Sequence, residues 1–388
     1  MGAVKEFFAV RSARSEVKTE IVRKYFSAWA RIMINQVRKK GGDKIGYADL
    51  FSGRGRYEDG SKSTPLLILE GAIRDNKIRD MLVCLFNDED KENADALVVE
   101  IGRLDGVKFL RYQPVVDNRK IDDRLAEHLE KISTIPTLYF LDPFGYNGLS
   151  LRLIKAVLRP YGCDCIFFFN YARVNAALSN PAMRTNMDLF FGKERADRLR
   201  SNLAGKTPAE RESLIISELK MALRELGGRY VVEYFFKDNS GRRTSYFLIL
   251  ASKVALAEKI MKEIMANESS HDDHGFASFG FNPRDRNPPS GQLEIPGLFT
   301  PPDPREELAT MLLGTYQGKT MRVIEVYQRH NIGRPYTMRN YKDAILKLEA
   351  EGRIKTAPSA EKRLRADTIT LGDNVLATFP AERIPNGH

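Results

Sequence analysis

The sequence predicts an α/β protein whose sheet ends in an antiparallel hairpin and which carries a smaller domain at its carboxyl end. Strand-like runs such as MLVCLF, PTLYFL and CDCIFFFN are apolar throughout and are separated by helical segments. Runs without polar alternation are typical of parallel strands that helices cover on both faces. The order then changes, because Arg229–Lys237 and Arg243–Ala251 flank the turn DNSG and predict an antiparallel hairpin.

Composition excludes several other classes of protein. The chain has 388 residues, of which 43% are hydrophobic and 29% are charged, as in ordinary globular domains. No run approaches the ~18 consecutive apolar residues of a spanning helix, and the amino terminus lacks the apolar segment of a secretory signal. We therefore expect a cytoplasmic protein without membrane contact.

The three cysteines, Cys84, Cys163 and Cys165, are too few for a disulfide framework. A metal centre would need further Cys or His ligands, and the chain has only five His. We expect buried, reduced thiols, as in proteins of a reducing compartment, and no bound metal.

The formal net charge of +10 is spread unevenly. Basic residues outnumber acidic ones in residues 1–45 and again, less strongly, in residues 305–388, whereas the stretch between them is close to neutral. Basic flanks around a neutral body indicate a polyanionic partner that the flanks contact. Charge alone fits solvated lysines and arginines equally well.

The order of elements gives the predicted domain boundaries. Apolar residues from Ile21 to Val37 recur at helical spacing and predict a first helix over about Glu16–Lys40, which Gly41 ends. Farther along, Val107–Tyr112 is strand-like. The predicted divisions are a basic helical segment over 1–45, an α/β domain over 46–268, a Pro- and Gly-rich linker over 269–304 and a small domain over 305–388.

The small domain is predicted to hold three helices and then two strands around a basic loop. The helices are predicted over Glu306–Tyr316, Thr320–His330 and Thr337–Glu351, and the strands over Arg353–Thr356 and Asp367–Leu371. Thr320 and Thr337 are the candidate N-caps. Three helices followed by a basic β-hairpin is the arrangement of a winged helix domain.

A winged helix can contact nucleic acid through its third helix and its wing. The basic side chains placed for such contacts are Arg334, Arg339 and Lys342 at the start of the third helix, and Arg363 and Arg365 on the wing. The same helix also carries acidic residues, and winged helices also serve protein contacts. Both uses of the domain stay open.

The first candidate site is the run YADLFSGRG, residues 47–55. Asp49 stands at a strand end, and Phe51 precedes two glycines, Gly53 and Gly55, which allow a sharp turn and a close approach of backbone to a ligand. A tight strand-to-helix turn that Asp49 caps would explain the same pattern without a ligand.

The second candidate site is the run NDED, residues 87–90, after the strand MLVCLF. An acidic side chain in this position of nucleoside-binding α/β folds accepts hydrogen bonds from ribose hydroxyls. Asp88 is the first candidate and Glu89 the second. The alternative is an acidic N-cap for the helix that follows.

The third candidate site is LDPFGY, after the strand PTLYFL. The carboxyl end of a central strand is where α/β sheets place reactive groups. The run is similar to the Asp/Asn-Pro-Pro-Tyr loop of amino-methyltransferases, in which the acidic or amide side chain holds the target amino group and the aromatic residue stacks on a flipped base. On this basis Asp142, Phe144 and Tyr146 are the candidate catalytic residues. A rigid proline turn is the alternative.

DLFSGRG, NDED and LDPFGY come in the order and strand positions of a class I methyltransferase, whose Rossmann-like sheet also ends in an antiparallel hairpin. The sequence resembles one family in particular, the three-Cys-motif partner proteins (TcmP), over about residues 16–356. The resemblance is carried by YADLFSGRGRYEDGSKSTPLLILEGA, LDPFGYNGLS, DLFFGKERADRL, the hairpin ending in SYFLILASKVALAEKIMKEIM, and GKTMRVIEVYQRHNIGRPYTMRNYKDAILKLEAEGRI.

The resemblance implies a class I methyltransferase-like protein that binds S-adenosylmethionine and is paired with a separate protein bearing a three-cysteine motif. The cysteines of that motif belong to the partner and not to this chain. The first loop departs from the family, because Ser52-Gly53-Arg54-Gly55 stands where members usually have Ala-Gly-Pro-Gly. Arg54 either reaches a ligand's carboxylate or a substrate phosphate, or blocks binding.

Three functions follow as hypotheses. The first is an S-adenosylmethionine-dependent methyltransferase of RNA or single-stranded DNA, in which Gly53–Gly55 passes the methionine part, Asp49 holds its amino group, Asp88 binds the ribose, and Asp142 with Phe144 receives the acceptor. The second is a non-catalytic nucleic-acid-binding or adaptor protein with a degenerate methyltransferase fold. The third is a nucleoside-processing enzyme that binds another adenosine cofactor.

Overall fold

The computed structural model of the chain describes residues 12–132, 134–145, 148–271, 276–286 and 304–381. It divides into two compact units that interleave along the sequence. The first unit is Met1–Glu268 with Gly280–Asn287, and the second is Ser269–Phe279 with Pro288–His388.

The first unit alternates strands and helices. Its strands are β1 (Ile45–Asp49), β2 (Leu82–Asn87), β3 (Val115–Asp117), β4 (Thr137–Leu141), β5 (Asp164–Phe169), β6 (Tyr230–Lys237), β7 (Thr244–Ser252) and β8 (Gly280–Phe281). Its helices are α1 (Ala13–Lys39), α2 (Thr64–Arg74), α3 (Asn76–Arg79), α4 (Lys91–Gly102), α5 (Asp123–Lys131), α6 (Leu151–Leu158), α7 (Tyr171–Leu178), α8 (Arg184–Phe191), α9 (Lys193–Leu203), α10 (Pro208–Glu225), α11 (Ala255–Asn267) and α12 (Pro283–Arg286).

Among the described residues the sheet of this unit has the strand order β3-β2-β1-β4-β5-β7-β6-β8. Strands β1 to β5 pair in parallel, whereas β7 is antiparallel to both β5 and β6. Every residue of β1, β4 and β5 is buried, which explains why these runs lack polar alternation. The predicted parallel sheet with a terminal hairpin is confirmed.

The register places the candidate site at one edge of the sheet. Asp49, the last residue of β1, pairs with Phe86 near the end of β2 and with Phe140 near the end of β4. The loops that follow these three strands therefore leave the sheet side by side. They are the loops that carry the Gly-rich run, Asp88 and Asp142.

Helix α1 is an integral part of the first unit. Ser12 caps it by accepting a hydrogen bond from the Ser15 N–H, so the helix begins three residues before the predicted start. Its apolar face packs against α2, α3, α11 and β1, and Gly41 ends it with a left-handed φ of +76°. Burying an aromatic side chain such as Tyr25 or Phe26 stabilises this contact by about 1.5–3 kcal/mol.

The predicted linker contributes a strand to the sheet. Gly280 and Phe281 of β8 pair in parallel with Phe235 and Phe236 at the edge of β6. A Cβ on Gly280 would lie 2.2 Å from the Phe235 ring, so this close approach requires glycine. Phe281 is buried against Phe236, with 6.2 Å between the ring centroids.

The second unit holds three helices and short strands. Its elements are α13 (Pro304–Thr315), β9 (Thr320–Arg322), α14 (Val323–His330), α15 (Met338–Ala350), β10 (Lys355–Ala357), β11 (Leu364–Arg365), β12 (Thr368–Ile369) and β13 (Leu376–Thr378). β13 lies between β10 and β9, and β11 pairs with β12 as the wing hairpin. The predicted winged helix arrangement is confirmed.

Two local predictions for this unit differ from the structure. Thr320 is not an N-cap, because it lies in β9 opposite Thr378 and the helix begins after Arg322. Thr337 is confirmed as the N-cap of α15, where its hydroxyl accepts from the Asn340 N–H. Residues 355–357 pair with 376–378 and not with the predicted second strand, because the wing hairpin is built entirely within 364–369.

One strand of the first unit was predicted in the wrong place. Val107–Phe109 is a 3₁₀ turn, which begins where Gly106 takes a left-handed φ of +80°. The third strand is Val115–Asp117, which pairs with Leu85–Asn87 of β2. The apolar residues of this run did not distinguish a short turn from a strand.

The cysteine prediction holds, since Cys84, Cys163 and Cys165 are free thiols and all buried. In the described part of the chain, no helix has both the length and the apolar character to cross a membrane. Within the same residues, no group of three or more His, Cys, Asp or Glu side chains has an arrangement that could hold a metal ion.

Candidate functional site

The loop after β1, residues 50–55, contains two glycines whose backbone φ is positive. Gly53 has a φ of +65° and Gly55 a φ of +86°. Residues with a Cβ rarely adopt these backbone conformations. A Cβ on Gly55 would lie 2.8 Å from Leu97 Cδ1 of α4, so packing as well as turn geometry requires glycine there. Phe51 is half-buried and packs against the core.

Asp49 lies buried beneath this loop, with 1% of its surface exposed. Its carboxyl accepts a hydrogen bond from the Phe51 N–H at 3.2 Å. Burial raises the pKa of Asp49 well above its ordinary value; Asp142 and Asp88 raise it further, whereas the Phe51 N–H and Lys18 oppose the shift. Asp142 and Asp88 therefore both lie within electrostatic range of Asp49.

Asp88 joins the end of β2 to the Gly-rich loop. One carboxylate oxygen accepts from the Gly53 N–H at 2.9 Å, and the other accepts from the Asp90 N–H at 3.0 Å and from Asn93 Nδ2 at 3.3 Å. A carboxylate has about four acceptor positions, so about one is left for a ligand. Glu89, the second candidate, is exposed beside it.

Asp142 follows β4 and forms an ion pair with Lys18 from the start of α1. The Lys18 side chain is 7% exposed and that of Asp142 is 20% exposed. The Lys18 ammonium also lies 4.8 Å from the centroid of the Phe168 ring. Burial alone would lower the pKa of Lys18, but Asp142, together with Tyr57 and Asp49, outweighs burial and raises the pKa, so the ammonium stays charged.

Lys18 was not among the site residues predicted from the sequence. The signal was present, because Lys18 precedes Ile21, Val22 and Tyr25 by three, four and seven residues and so lies on the buried face of the helix. A lysine on an apolar face needs a partner, and here the partner is Asp142.

A cavity of about 270 Å³ opens beside the loop after Asp142. It is lined by Phe144, Gly145, Arg173, Ala176, Ala177, Asn180 and Met183. The Phe144 side chain is 53% exposed, and the Arg173 guanidinium lies 4.8 Å from the centroid of its ring. An exposed aromatic ring can stack on a base, and a neighbouring cation can bind a phosphate. Tyr146, the third catalytic candidate, lies outside the described residues.

The basic residues predicted to contact nucleic acid differ in their exposure and in their partners. Arg339 is 89% exposed, with Asp343 at 3.9 Å, and Arg365 is exposed on the wing. Lys342 pairs with Asp373 at 2.7 Å, and Arg334 donates to the His330 carbonyl at 2.6 Å.

Arg363 has a different role from the one predicted. It is 6% exposed and donates to the carbonyls of Pro358 and Thr370 and to the Glu349 carboxylate. Its guanidinium holds the wing to α15, so it is not available to a phosphate. The sequence did not indicate that Arg363 is buried, because its burial depends on the position of the wing turn against α15.

Comparison with known proteins identifies the second domain. Residues 280–361 match the family model of the GMT-like wHTH domain. The carboxyl-terminal domain is a winged helix–turn–helix. No curated protein sequence matches the chain.

Several solved structures that are similar to this chain are methyltransferases. The methyltransferase domain of bacterial CtHen1-C is 11% identical over 58% of this chain and 97% of that one, with a TM-score of 0.30. A human methyltransferase 10 domain containing protein is 13% identical over 60% and 82%, with a TM-score of 0.30. The N-terminal domain of human METTL16, solved with SAH, is 14% identical over 59% and 69%, with a TM-score of 0.30.

The strand order of the chain itself identifies the fold. The parallel strands in the order β3-β2-β1-β4-β5, followed by antiparallel β7 and then β6, form the Rossmann-like sheet of class I methyltransferases. Ligands of such sheets bind at the carboxyl ends of the strands. Asp49, at the end of β1, and the loops that carry Asp88 and Asp142 lie at that edge.

Proposed function

We propose that the chain is an S-adenosylmethionine-dependent methyltransferase that acts on nucleic acid, RNA or single-stranded DNA, and that it is paired with a separate three-cysteine-motif protein. The observation that supports the reaction best is the convergence of Asp49, Asp88 and the Asp142–Lys18 pair at the ligand-binding edge of the sheet. The winged helix domain supports the nucleic-acid partner, and the resemblance to the TcmP family supports the protein partner.

The residues present fit the cofactor by their chemistry. S-adenosylmethionine, when bound, supplies a methyl group on a positively charged sulfonium, and its amino group is a second cation. Three neighbouring carboxyl groups favour such a ligand, and a nearby positive charge would draw Asp49 toward its ionised form. Asp88 has about one acceptor position left, so Glu89 would accept from the second ribose hydroxyl.

The acceptor would lie between Asp142 and the cavity at Phe144. Methyl transfer from a sulfonium needs in-line placement of the nucleophile more than acid–base help. Asp142 would accept from the acceptor's amino group while the ion pair with Lys18 holds the carboxylate in place. Phe144 would stack on the base, and Arg173 would hold the attached phosphate.

Calorimetry with S-adenosylmethionine tests the cofactor. We expect saturable binding to the full chain, and binding at least tenfold weaker for Asp88→Ala, because that variant frees the Gly53 N–H and removes the ribose acceptor. Asp95→Ala, which removes a carboxylate of α4 that is 66% exposed, is the control and should bind like wild type. No heat at millimolar ligand would refute the proposal.

Transfer of a labelled methyl group to total RNA, DNA and protein tests the activity and the acceptor class. We expect label in nucleic acid, and a loss of tenfold or more for Asp142→Asn, which keeps the side-chain shape but not the charge. Equal label with both proteins would remove Asp142 from the mechanism, and label in protein alone would refute the nucleic-acid target. Co-purification with the three-cysteine-motif protein tests that partner.

A second candidate function is a non-catalytic adaptor that binds nucleic acid. This function is favoured because both carboxylates already have partners within the protein. Asp142 is paired with Lys18, and Asp88 accepts three hydrogen bonds. Its signature is nucleic-acid binding without any binding of S-adenosylmethionine. Thermal shifts with S-adenosylhomocysteine and with NAD would separate it from an enzyme that uses another adenosine cofactor.

A further inference from the structure

A second surface with polyanion-binding chemistry lies at the amino edge of the sheet, opposite the candidate site. It is formed where α1 ends and β1 begins, together with the turns before β3 and β5. We define this amino-edge surface by five residues: Lys40, Lys44, Arg111, Tyr112 and Tyr161.

The amino-edge surface alternates cations with aromatic rings. The Lys40 ammonium lies 3.4 Å from the centroid of the Tyr161 ring. Lys44 and Arg111 lie 5.0 Å and 5.1 Å from the centroid of the Tyr112 ring. Asp43 joins the segment before β1 to the Tyr112 turn, since its carboxylate accepts from Arg111 Nη2 at 3.0 Å and from the Tyr112 hydroxyl at 3.1 Å.

The positive charge of this surface is mostly uncompensated. In the ranges that the structure describes, no carboxylate lies within ion-pair distance of Lys40 or Lys44, and both are exposed. Lys39 beside them and Lys108 near Tyr112 add exposed charge of the same sign. Like charges held this close together favour a polyanion that spans them.

The aromatic rings decide which polyanion fits. Tyr161 is 54% exposed, and the Lys40 ammonium lies against its ring. Phe109, in the turn that leads to Tyr112, is 61% exposed. Cations interleaved with exposed rings bind phosphates and unstacked bases together, which a duplex or an acidic peptide does not offer.

We propose that the amino-edge surface binds single-stranded nucleic acid, with Lys40, Lys44 and Arg111 on the phosphates and Tyr161 stacking on a base. The inference rests on the proposed nucleic-acid partner but not on methyl transfer or on the cofactor. It places a binding site of the first unit outside both the winged helix and the edge that carries Asp142.

Fluorescence anisotropy of a labelled polyuridine of about 20 nucleotides, titrated with the full chain, tests the proposal. We expect Lys40→Ala/Lys44→Ala to bind at least tenfold more weakly, with a log–log salt slope smaller by about 1.4, because two phosphate contacts are lost. Tyr161→Ala should bind about fivefold more weakly or worse with the slope unchanged, because it loses a stack and no charge.

The controls match each change elsewhere in the first unit. Lys193→Ala removes an exposed lysine of α9, and Met221→Ala removes an apolar side chain of α10 that is 47% exposed. Both should bind like wild type, and equal melting temperatures for all variants show that each is folded. Methyl transfer is not measured, so failure of the proposed enzyme leaves this test intact.

Three results would overturn the proposal. The first is wild-type affinity and salt slope for Lys40→Ala/Lys44→Ala. The second is wild-type affinity for Tyr161→Ala, which would leave a purely electrostatic surface with no preference for single strands. The third is equal competition by a duplex of the same length or by polyglutamate, which would show that unstacked bases contribute nothing.

Discussion

Lys18 and Asp142 form an ion pair whose two members are unequally buried. The lysine side chain is 7% exposed and the carboxylate is 20% exposed, so water reaches the acid more easily than the base. Removing one partner of a buried pair is costly because the other is left as an unpaired charge. The two single truncations should therefore differ in their cost to the fold.

We predict that Asp142→Ala lowers the free energy of unfolding by about 3 kcal/mol, since it strands the Lys18 ammonium beside Phe168. Lys18→Met should cost less, because Asp142 can be hydrated and the methionine keeps most of the packing. The double variant should cost less than the sum of the two singles. Urea unfolding of the four proteins measures all three quantities.

Additive losses in this cycle would show that the pair contributes nothing to stability. Asp95→Ala is the matched control, because its carboxylate pairs with Lys91 on an exposed helix surface. The cycle also decides how activity data are interpreted. A loss of methyl transfer in Asp142→Asn indicates a catalytic role only at temperatures where that variant is folded.

Helix α1 runs between the two edges of the first unit that are proposed to bind ligands. Its first turns carry Lys18 to the Asp142 loop, and its last residue, Lys39, borders the amino-edge surface. At 1.5 Å per residue these two ends lie about 30 Å apart. A single strand stacked at about 3.4 Å per nucleotide would need about ten nucleotides to run between them.

The core of the winged helix holds a buried histidine at the end of α14. His330 is 2% exposed, and its Nδ1 lies 2.8 Å from the Tyr341 hydroxyl. Burial, with a smaller contribution from Arg334, lowers the pKa of His330 to about 4. The folded domain therefore favours the neutral imidazole, whereas the unfolded chain protonates near its ordinary value of 6.5.

We predict that the winged helix domain loses stability as the pH falls. Because the folded pKa of His330 is depressed, its contribution is complete above pH 6.5 and is lost between about 6.5 and 4. At 1.36 kcal/mol per pKa unit, the loss is at most about 3 kcal/mol. Hydrogen exchange of peptides from residues 304–381 at pH 7 and pH 4.5 measures it.

The control for this prediction is His330→Gln, which keeps a hydrogen-bond partner for Tyr341 but does not titrate. Its exchange protection should be nearly independent of pH over the same interval. A wild-type domain whose protection is equal at both pH values would show that His330 carries no linkage. The experiment does not depend on what the domain binds.

Helices and strands with a clear apolar run or a clear helical period could be predicted from the sequence. Those whose position depends on tertiary contacts could not. The apolar strands β2, β4 and β5 and the helix α15 with its Thr337 cap follow from the sequence alone. The third strand did not, because Val107–Phe109 and Val115–Asp117 are both short and apolar. Helices α7 to α10 had no predicted bounds, since their polar sequences give a weak period.

The candidate site was predictable as a set of loops but not as a set of contacts. The order of the strands places Asp49, Asp88 and Asp142 at one edge, and sequence position sufficed for that. The ion pair of Asp142 joins residues 124 positions apart, and the burial of Arg363 depends on the fold of the wing. Both contacts depend on the tertiary fold, so no local sequence pattern specifies them.

The interleaving of the two units gives a prediction for the whole molecule. A fragment that ends at Glu268 lacks β8, whereas one that ends at Asn287 keeps it. Without β8 the edge of β6 loses its backbone pairing, and Phe236 loses the buried Phe281 ring. We expect the fragment that ends at Asn287 to melt several degrees higher, at about 2–4 °C per kcal/mol, and to aggregate less.

Differential scanning calorimetry of the two fragments measures the effect, and Phe281→Ala in the longer fragment is the control. Equal melting temperatures would show that β8 does not stabilise the sheet.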